Sequence, residues 1–244
     1  MKIVVVGGTG LIGSQVVRRL AEQGHEATAV ALSTGVDLLT GDGLDEALAG
    51  ARAVVNLTNS PTFDEASVAF FRTSMDNLLA ASRKAGVGHV VILSIVGVEQ
   101  VPELDYYRAK VLQEDLLKGG GIPYSIVRAT QFMEFADAVL SWTTDGGTVR
   151  LPRTPLQPIA AADVAAVVAE IAAGTPLDGT LNIAGPEVFP LDELGRVTVA
   201  AHGDGRQVVV DDTAGMFAVV KGEVLIAPEG ARIAPTHYRD WLAS

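Results

Sequence analysis

A tyrosine and a lysine stand four residues apart in the segment Tyr106-Tyr107-Arg108-Ala109-Lys110. If this segment is helical, the two side chains share one face and lie one turn apart. An ammonium beside a phenol favours the phenolate, so we expect Lys110 to lower the pKa of Tyr106 from its usual value of about 10. The pair therefore indicates acid–base chemistry at Tyr106, although the same spacing also arises by chance on ordinary helix surfaces.

Two further residues bear on this chemistry. Ser94 ends the apolar run His89–Ser94, which predicts a buried strand, and its hydroxyl could hydrogen-bond the same substrate oxygen as Tyr106. Tyr107 is an alternative acid, but it lies only three residues from Lys110 and fits the pattern less well. The predicted catalytic set is Ser94, Tyr106 and Lys110.

A second constellation lies near the start of the chain, where an apolar strand precedes the segment Gly7-Gly8-Thr9-Gly10-Leu11-Ile12-Gly13. Gly7 would allow a tight turn, Gly10 the close approach of a pyrophosphate, and Gly13 the packing of a helix against the strand. The anion would then lie at the positive helix N-terminus. A helix over 14–23 and a strand over 27–32 complete a βαβ unit of about 30 residues. This context predicts dinucleotide binding, although glycine-rich turns also occur in domains that bind none.

The residues after the second strand bear on the choice of cofactor. An NAD site usually places an acidic residue there, and NADP sites often offer arginine. The segment Ala31–Gly35 has neither, but Ser33 and Thr34 could donate to a 2′-phosphate that no carboxylate would repel. The sequence favours NADPH, with NADH as the alternative.

Polar residues follow the apolar strand predicted over 53–57, in the segment Leu57-Thr58-Asn59-Ser60. Ligands bind outside the carboxyl ends of the strands in open parallel sheets. These four residues are therefore candidates to line the cofactor crevice, although an ordinary Asn-Ser-Pro turn is equally consistent with the pattern.

The order of predicted elements indicates an α/β fold. Strands alternate with helices up to Arg128, which predicts a Rossmann-type, doubly wound parallel sheet over residues 1–128. Beyond Arg128 the alternation loosens, so residues 129–244 are predicted to form a small substrate lobe, integrated with the first part as one domain. A strand at about 180–184 is expected to return to the main sheet. The predicted elements are a third strand over 36–39, helices over 44–48, 64–84, 103–118, 132–142, 163–173 and 191–201, strands over 89–94 and 124–128, short apolar segments at 208–210 and 224–226, and a terminal turn at 238–242.

Aromatic residues suggest the nature of the substrate. Phe132 and Phe135 share one face of the predicted helix over 132–142, and Phe63 follows the crevice loop. Arginines in the predicted lobe are scattered and form no clamp for a phosphate or a polycarboxylate. These features favour a flat, apolar, aromatic substrate, although core packing explains such a helix face equally well.

Composition excludes several classes of function. The chain of 244 residues carries a net charge of −11, which leaves no basic field for nucleic acid. It has no cysteine, and its four histidines show no ligand spacing, so we expect no metal site. No apolar run approaches the roughly 20 residues that cross a bilayer. We expect a cytoplasmic protein, and the sequence leaves a homo-oligomer open.

The glycine segment, Ser94 and Tyr106-x-x-x-Lys110, in that order, resemble the short-chain dehydrogenase/reductase superfamily. More narrowly, the chain is similar to the atypical, NmrA-like branch of NAD(P)H-binding reductases. The resemblance spans residue 1 to about 195, and its supporting stretches are 77–81, 85–87, 158–164 and 184–187. It implies that Ser94 positions a carbonyl, that Tyr106 transfers the proton, and that Lys110 binds the nicotinamide ribose while tuning the tyrosine. It also implies that Asp37 and Leu38 contact adenine.

The chain departs from this pattern in two places. A helix asparagine often completes the set, but Phe71 and Arg72 stand where the pattern places it, and Asn77 lies further along. The interval between Ser94 and Tyr106 is also shorter than in most of the superfamily.

Three functions follow from the resemblance. The first is a reductase that passes hydride from NAD(P)H to a carbonyl or quinone. The second is a non-catalytic sensor that binds dinucleotide and reports redox state to a protein partner. A nucleotide-sugar epimerase or dehydratase would need a larger substrate lobe than this chain offers.

Overall fold

The structure is a computed structural model that describes all residues, 1–244. Its first half alternates strands and helices, as the sequence predicts. The elements are β1 (Lys2–Val6), α1 (Leu11–Glu22), β2 (Glu26–Val30), α2 (Leu44–Leu48), β3 (Ala53–Asn56), α3 (Ala66–Ala85), β4 (His89–Ile95), α4 (Asp105–Lys118) and β5 (Tyr124–Ala129).

The second half is less regular. Its elements are α5 (Ala136–Trp142), β6 (Thr144–Asp145), β7 (Thr148–Leu151), β8 (Pro155–Leu156), α6 (Ala161–Ala173), β9 (Gly179–Ala184), β10 (Phe189–Pro190), α7 (Leu191–His202), β11 (Gln207–Val210), β12 (Arg232–Ile233) and α8 (Tyr238–Leu242). The helix predicted over 132–142 is split, because Met133–Phe135 form a 3₁₀ turn before α5 begins. No strand forms at 224–226.

Seven strands form one sheet in the order β12-β9-β5-β4-β3-β1-β2. β1 pairs in parallel with both β2 and β3, and β3 pairs in parallel with β4. The order reverses between β1 and β3, so the chain has the topological switch point that binds ligands in doubly wound sheets. The predicted Rossmann-type α/β fold is confirmed.

The strand predicted at residues 36–39 is wrong. Val36 and Leu38 are buried, as a strand would bury them, but they belong to an irregular segment that follows a left-handed Gly35. The side-chain amide of Asn77 on α3 donates to the carbonyl oxygens of Leu38 and Leu39, at 2.8 and 3.1 Å. The segment is therefore held by a helix rather than by a neighbouring strand.

The core beside the sheet is built from β-branched and aliphatic side chains. Residues 3–5 of β1 and Val54 of β3 are completely buried, as expected for strands covered on both faces. Met75 and Leu78 of α3 and Leu117 of α4 are also fully buried in this cluster. The two helices pack against each other, so α3 and α4 form one layer beside the sheet.

The chain divides into two compact units. The first comprises residues 1–94, 104–128 and 164–181, and the second comprises 95–103, 129–163 and 182–244. One of these divisions falls at the predicted boundary after Arg128. Two segments do not follow that boundary: residues 95–103 belong to the second unit, and residues 164–181 belong to the first. That the two parts form one integrated domain stays a prediction.

The second unit contains two small sheets besides its share of the main one. β6 and β7 form an antiparallel hairpin to which β11 adds in parallel, and β8 pairs with β10. No helix in the chain combines the length and apolar character needed to cross a bilayer.

Candidate active site

The glycine segment forms the junction between β1 and α1. Gly7 has a φ of +77°, which favours glycine, and its N–H donates to the carbonyl of Val30 in β2 at 2.9 Å. A Cβ on Gly13 would lie 2.1 Å from the carbonyl oxygen of Gly7, which no side chain can tolerate. Gly13 therefore lets α1 approach the turn after β1.

Gly10 differs from Gly7 and Gly13 because it is exposed and has room around it. It is the N-cap residue of the twelve-residue α1, and no side chain caps this helix N-terminus. A Cβ on Gly10 would meet only the Gly7 carbonyl oxygen, at 3.4 Å. Thr9 and Leu11 are also exposed, whereas Ile12 is buried. The uncapped N–H groups and the open face at Gly10 fit the pyrophosphate of a dinucleotide.

The loop after β3 adjoins this junction. A Cβ on Gly7 would lie 3.0 Å from the carbonyl of Leu57 and 3.1 Å from the amide nitrogen of Thr58. The side-chain oxygen of Asn56 accepts hydrogen bonds from the N–H and the hydroxyl of Thr58, at 3.1 and 2.7 Å. Ser60 is buried, and its hydroxyl accepts from the N–H of Thr62 at 3.3 Å. The predicted crevice residues 57–60 thus lie at the switch point, with Asn59 exposed.

Tyr106 lies in the first turn of α4, and its hydroxyl donates a hydrogen bond to Oδ1 of Asn59. The Tyr106 ring lies 5.0 Å from the ring of Phe63 and 6.0 Å from the ring of Phe71, centroid to centroid. The alternative acid, Tyr107, is buried. The Tyr106 hydroxyl therefore reaches the loop after β3.

The ammonium of Lys110 is buried under the same aromatic cluster. It donates to the carbonyl oxygen of Leu93 at 2.6 Å and to Oε1 of Gln113, and it lies 4.9 Å from the centre of the Phe71 ring. Burial lowers the pKa of Lys110 to about 7, partly opposed by the negative charge of Glu114. An ammonium has three N–H groups, so one remains beyond the two hydrogen bonds that Lys110 makes.

The expected lowering of the Tyr106 pKa is wrong. Burial, followed by the charge of the neighbouring Tyr107, raises the pKa of Tyr106 above its ordinary value. Lys110 gives its hydrogen bonds to Leu93 and Gln113 rather than to the phenol. The Tyr106 hydroxyl therefore keeps its proton at neutral pH.

Ser94 lies deeper than the sequence suggested. Only 3% of its surface is exposed, and its hydroxyl has no partner at ordinary hydrogen-bond distance. Burial raises the pKa of Glu114, but hydrogen bonding from Arg128 and the closeness of the Ser94 hydroxyl outweigh this and lower the pKa overall. Arg128 binds both carboxylate oxygens of Glu114, at 2.8 and 2.7 Å. Ser94 is thus next to a buried ion pair, and it makes no hydrogen bond to Tyr106.

The residues predicted to contact the adenosine part of the cofactor differ in exposure and in the hydrogen bonds they already make. Ser33 and Thr34 are exposed in a 3₁₀ turn after β2, but the Thr34 hydroxyl already donates to the carbonyl of Ala31 at 2.9 Å. Asp37 accepts from the N–H of Leu39 at 2.7 Å, and Leu38 belongs to the core. Ser33 therefore offers the hydroxyl that is better placed to donate to a ligand.

The predicted aromatic helix face lies in the second unit. The Phe135 and Trp142 rings meet edge to face at 5.2 Å, and the backbone of Phe132 forms a bridge with Ile159. Both phenylalanines are half-buried, whereas Val139 and Leu140 of the same face are buried in the core.

Three buried residues of this site were not predicted from the sequence: Asn56, Met75 and Gln113. Asn56 is the polar residue of the otherwise apolar β3, and Gln113 follows Lys110 by three residues. Only Asn56 carried a signal in the sequence, as a polar residue in a run that should be apolar.

The two glycines at 10 and 13 give a test of the dinucleotide site. Gly10→Ala should keep the melting temperature nearly unchanged, because its backbone is extended and its surroundings are open. It should weaken NADPH binding at least about tenfold, since the methyl group occupies the pyrophosphate position. Gly13→Ala is the matched variant and should lower the melting temperature strongly. Isothermal titration and thermal unfolding measure both effects; unchanged NADPH affinity in Gly10→Ala would exclude this position for the pyrophosphate.

Comparisons with known proteins agree with this geometry. A family model described as NAD(P)H-binding matches residues 7–174. The chain is 32% identical over 210 residues to a (4-alkanoyl-5-oxo-2,5-dihydrofuran-3-yl)methyl phosphate reductase from Streptomyces griseus, covering 78% of this chain and 70% of that protein. It is 26% identical over 153 residues to the photosystem II assembly factor Ycf39 of Synechocystis, covering 55% of this chain but only 46% of that protein.

Solved structures share the fold over the whole chain. A nucleoside-diphosphate-sugar epimerase from Staphylococcus aureus has a TM-score of 0.75 at 16% identity and full coverage of both chains. MoeE5, solved with UDP-glucuronic acid and NAD, has a TM-score of 0.73 at 21% identity, covering 100% of this chain and 97% of its own. From the family match and the sequence relatives, the chain belongs to the NAD(P)H-binding family, in the atypical, NmrA-like part of the short-chain dehydrogenase/reductase superfamily.

Proposed function

We propose that this protein is an NAD(P)H-dependent reductase that passes hydride to the carbonyl or quinone carbon of a small, apolar, aromatic substrate. One observation carries the proposal: the protonated phenol of Tyr106 lies at the carboxyl end of β3, one turn from a buried lysine. A reduction needs an acid that holds its proton until the substrate oxygen becomes basic.

The chain's own residues offer a complete set of contacts for the cofactor. Gly10 and the α1 N-terminus would hold the pyrophosphate, and the remaining N–H of Lys110 would meet the nicotinamide ribose. The loop Leu57–Ser60 would line the crevice, and Ser33 would face the adenosine ribose. When bound, the nicotinamide supplies the hydride.

The proton would come from Tyr106. The ordinary pKa of a phenol, about 10, already keeps Tyr106 protonated at neutral pH, so it can donate once the substrate oxygen gains enough charge to become the stronger base. The Tyr106 hydroxyl would exchange its hydrogen bond to Asn59 for one to the substrate oxygen. Ser94 is proposed as a second donor to that oxygen, a role that requires its buried hydroxyl to turn away from Glu114.

Two relatives are named as reductases, the Streptomyces griseus protein and a divinyl chlorophyllide a 8-vinyl-reductase from Cucumis sativus. Their names support hydride transfer in general but describe different substrates, one of them a phosphate ester. The ketone or quinone substrate of this chain is therefore our proposal. The chain spans less than half of the Ycf39 assembly factors, and a partner-dependent role like the one that their name describes is the contrasting outcome.

Tyr106→Phe tests the reductase proposal. The substitution removes the transferable proton together with the hydrogen bond to Asn59, but no group assigned to the cofactor phosphates or ribose. Turnover of quinones and aromatic ketones should therefore fall at least about a hundredfold while NADPH affinity stays nearly unchanged. Tyr107→Phe is the matched control and should retain turnover. The assay follows the absorbance of NADPH. Full turnover in Tyr106→Phe would show that another group is the acid, whereas tight NADPH binding without turnover in the wild type would favour a sensor.

The choice of cofactor is tested by direct binding. We expect NADPH to bind more tightly than NADH, because no carboxylate lies at residues 31–35 and Ser33 can donate to the 2′-phosphate. Ser33→Asp should reverse this preference, since a carboxylate repels the phosphate and accepts from the ribose hydroxyl. Dissociation constants for both nucleotides decide the question; NADH binding tenfold tighter than NADPH in the wild type would overturn the preference.

The aromatic substrate is tested at Phe63. This ring is 45% exposed and lies beside Tyr106, so Phe63→Ala should raise the KM for an aromatic quinone while lowering the melting temperature by less than about 4 °C. An aliphatic ketone serves as the control substrate, and Phe132→Ala is the companion variant in the second unit. A large fall in melting temperature with an unchanged KM in both variants would show that these rings only stabilise the fold.

A further inference from the structure

Gln113 is completely buried, yet it has polar partners at both ends of its side chain. Its oxygen accepts a hydrogen bond from the Lys110 ammonium, and its nitrogen donates to the thioether of Met75 at 3.8 Å. The orientation of the amide is fixed by chemistry, because an amide nitrogen cannot accept from an ammonium. Gln113 therefore presents its acceptor to Lys110 in one defined position.

The same thioether has a second amide donor. Nδ2 of Asn56 lies 3.4 Å from the sulfur of Met75. Oδ1 of Asn56 accepts hydrogen bonds from the N–H and the hydroxyl of Thr58. Asn56 and Met75 are also buried, with 1% and 0% of their surfaces exposed. A continuous chain of contacts thus runs from Lys110 through Gln113, Met75 and Asn56 to Thr58.

We propose that Gln113 is the residue that positions Lys110 and sets its protonation, and that Met75 ties this pair to the crevice loop at Thr58. The proposal rests on the proposed function only where it concerns turnover, since the protonation of Lys110 can be measured without a substrate.

Packing alone does not account for a glutamine at this position. A leucine of similar volume would bury apolar surface without the cost of removing an amide from water. The amide is instead retained opposite an ammonium that has few other partners: the Leu93 carbonyl from β4 and the Phe71 ring from α3. Removing the acceptor would leave a buried charge with one hydrogen bond fewer.

The charged groups around Lys110 make its protonation sensitive to Gln113. Glu114 on the same helix attracts the ammonium, but Arg128 of β5 and Lys118 already neutralise that carboxylate. Tyr106 lies one turn away and stays protonated. Because burial brings the pKa of Lys110 to about 7, a change of acceptor should shift its charge in the neutral pH range.

Two substitutions at Gln113 should move the pH profile in opposite directions. Gln113→Leu removes the acceptor, so the alkaline limb of kcat/KM should shift to lower pH by about one unit, a tenfold change in proton affinity. Gln113→Glu places a carboxylate against the ammonium and should shift the limb to higher pH by a similar amount. A purely structural role would lower the melting temperature of both variants without opposite shifts.

The pKa of Lys110 is measured in parallel by NMR titration of protein labelled with ¹³C at lysine Cε, with Lys110→Arg assigning the resonance. This readout separates the two proposals, because it reports on Gln113 even if the wild type turns over no substrate. Opposite shifts of the resonance support the proposal. A Lys110 pKa within about 0.3 units of wild type in both variants would overturn it.

Met75→Leu tests the tie to the crevice loop. Leucine keeps the volume but offers no acceptor, so the Kd for NADPH should rise several-fold and the Lys110 resonance should shift in the same direction as in Gln113→Leu. Met133→Leu, at a methionine with 1% of its surface exposed in the second unit, is the matched control. If Met75→Leu behaves like Met133→Leu in both measurements, the link through Met75 is wrong.

Discussion

The burial of the Lys110 ammonium is the constraint on which the rest of the site depends. A charge removed from water is costly unless hydrogen bonds or opposite charges replace the lost hydration. The first unit supplies a backbone carbonyl from β4, an amide from α4 and an aromatic face from α3. Each partner comes from a different element, so the ammonium is satisfied only when α3 and α4 are packed together beside the sheet. The packing of α3 against α4 and the hydrogen bonding of the Lys110 ammonium therefore depend on each other.

A second constraint acts at the other side of the crevice, where β1 enters α1. The carbonyl oxygen of Gly7 would lie 2.1 Å from any Cβ on Gly13, so the closeness of turn and helix is incompatible with a side chain there. This close approach aims the N-terminus of α1 across the switch point between β1 and β3. The exposed Gly10 and the crevice loop after β3 consequently border the same space.

Much of this arrangement could be predicted from the sequence because it is local. The glycine spacing and the apolar runs fixed the order of strands and helices in the first half of the chain. Residues 36–39 were mispredicted because buried Val36 and Leu38 alternate as a strand would, while the hydrogen bonds from Asn77 that hold them come from distant α3. The spacing of Tyr106 and Lys110 predicted a shared helix face but not the direction of the ammonium, which depends on Gln113 of the same helix together with groups from β4 and α3. Asn56, Met75 and Gln113 come from three elements, and no periodicity in one segment could connect them.

The structure joins the crevice loop to α4 in two places. Asn59 accepts a hydrogen bond from the hydroxyl of Tyr106. Asn56 is connected to Lys110 by hydrogen bonds through Met75 and Gln113. The two asparagines lie three residues apart on the loop side, and Tyr106 and Lys110 lie one turn apart on the helix side. A displacement of the loop would therefore disturb the phenol and the ammonium together. A dinucleotide bound as proposed would contact this loop, and its binding would then act on both Tyr106 and Lys110 through contacts that already exist.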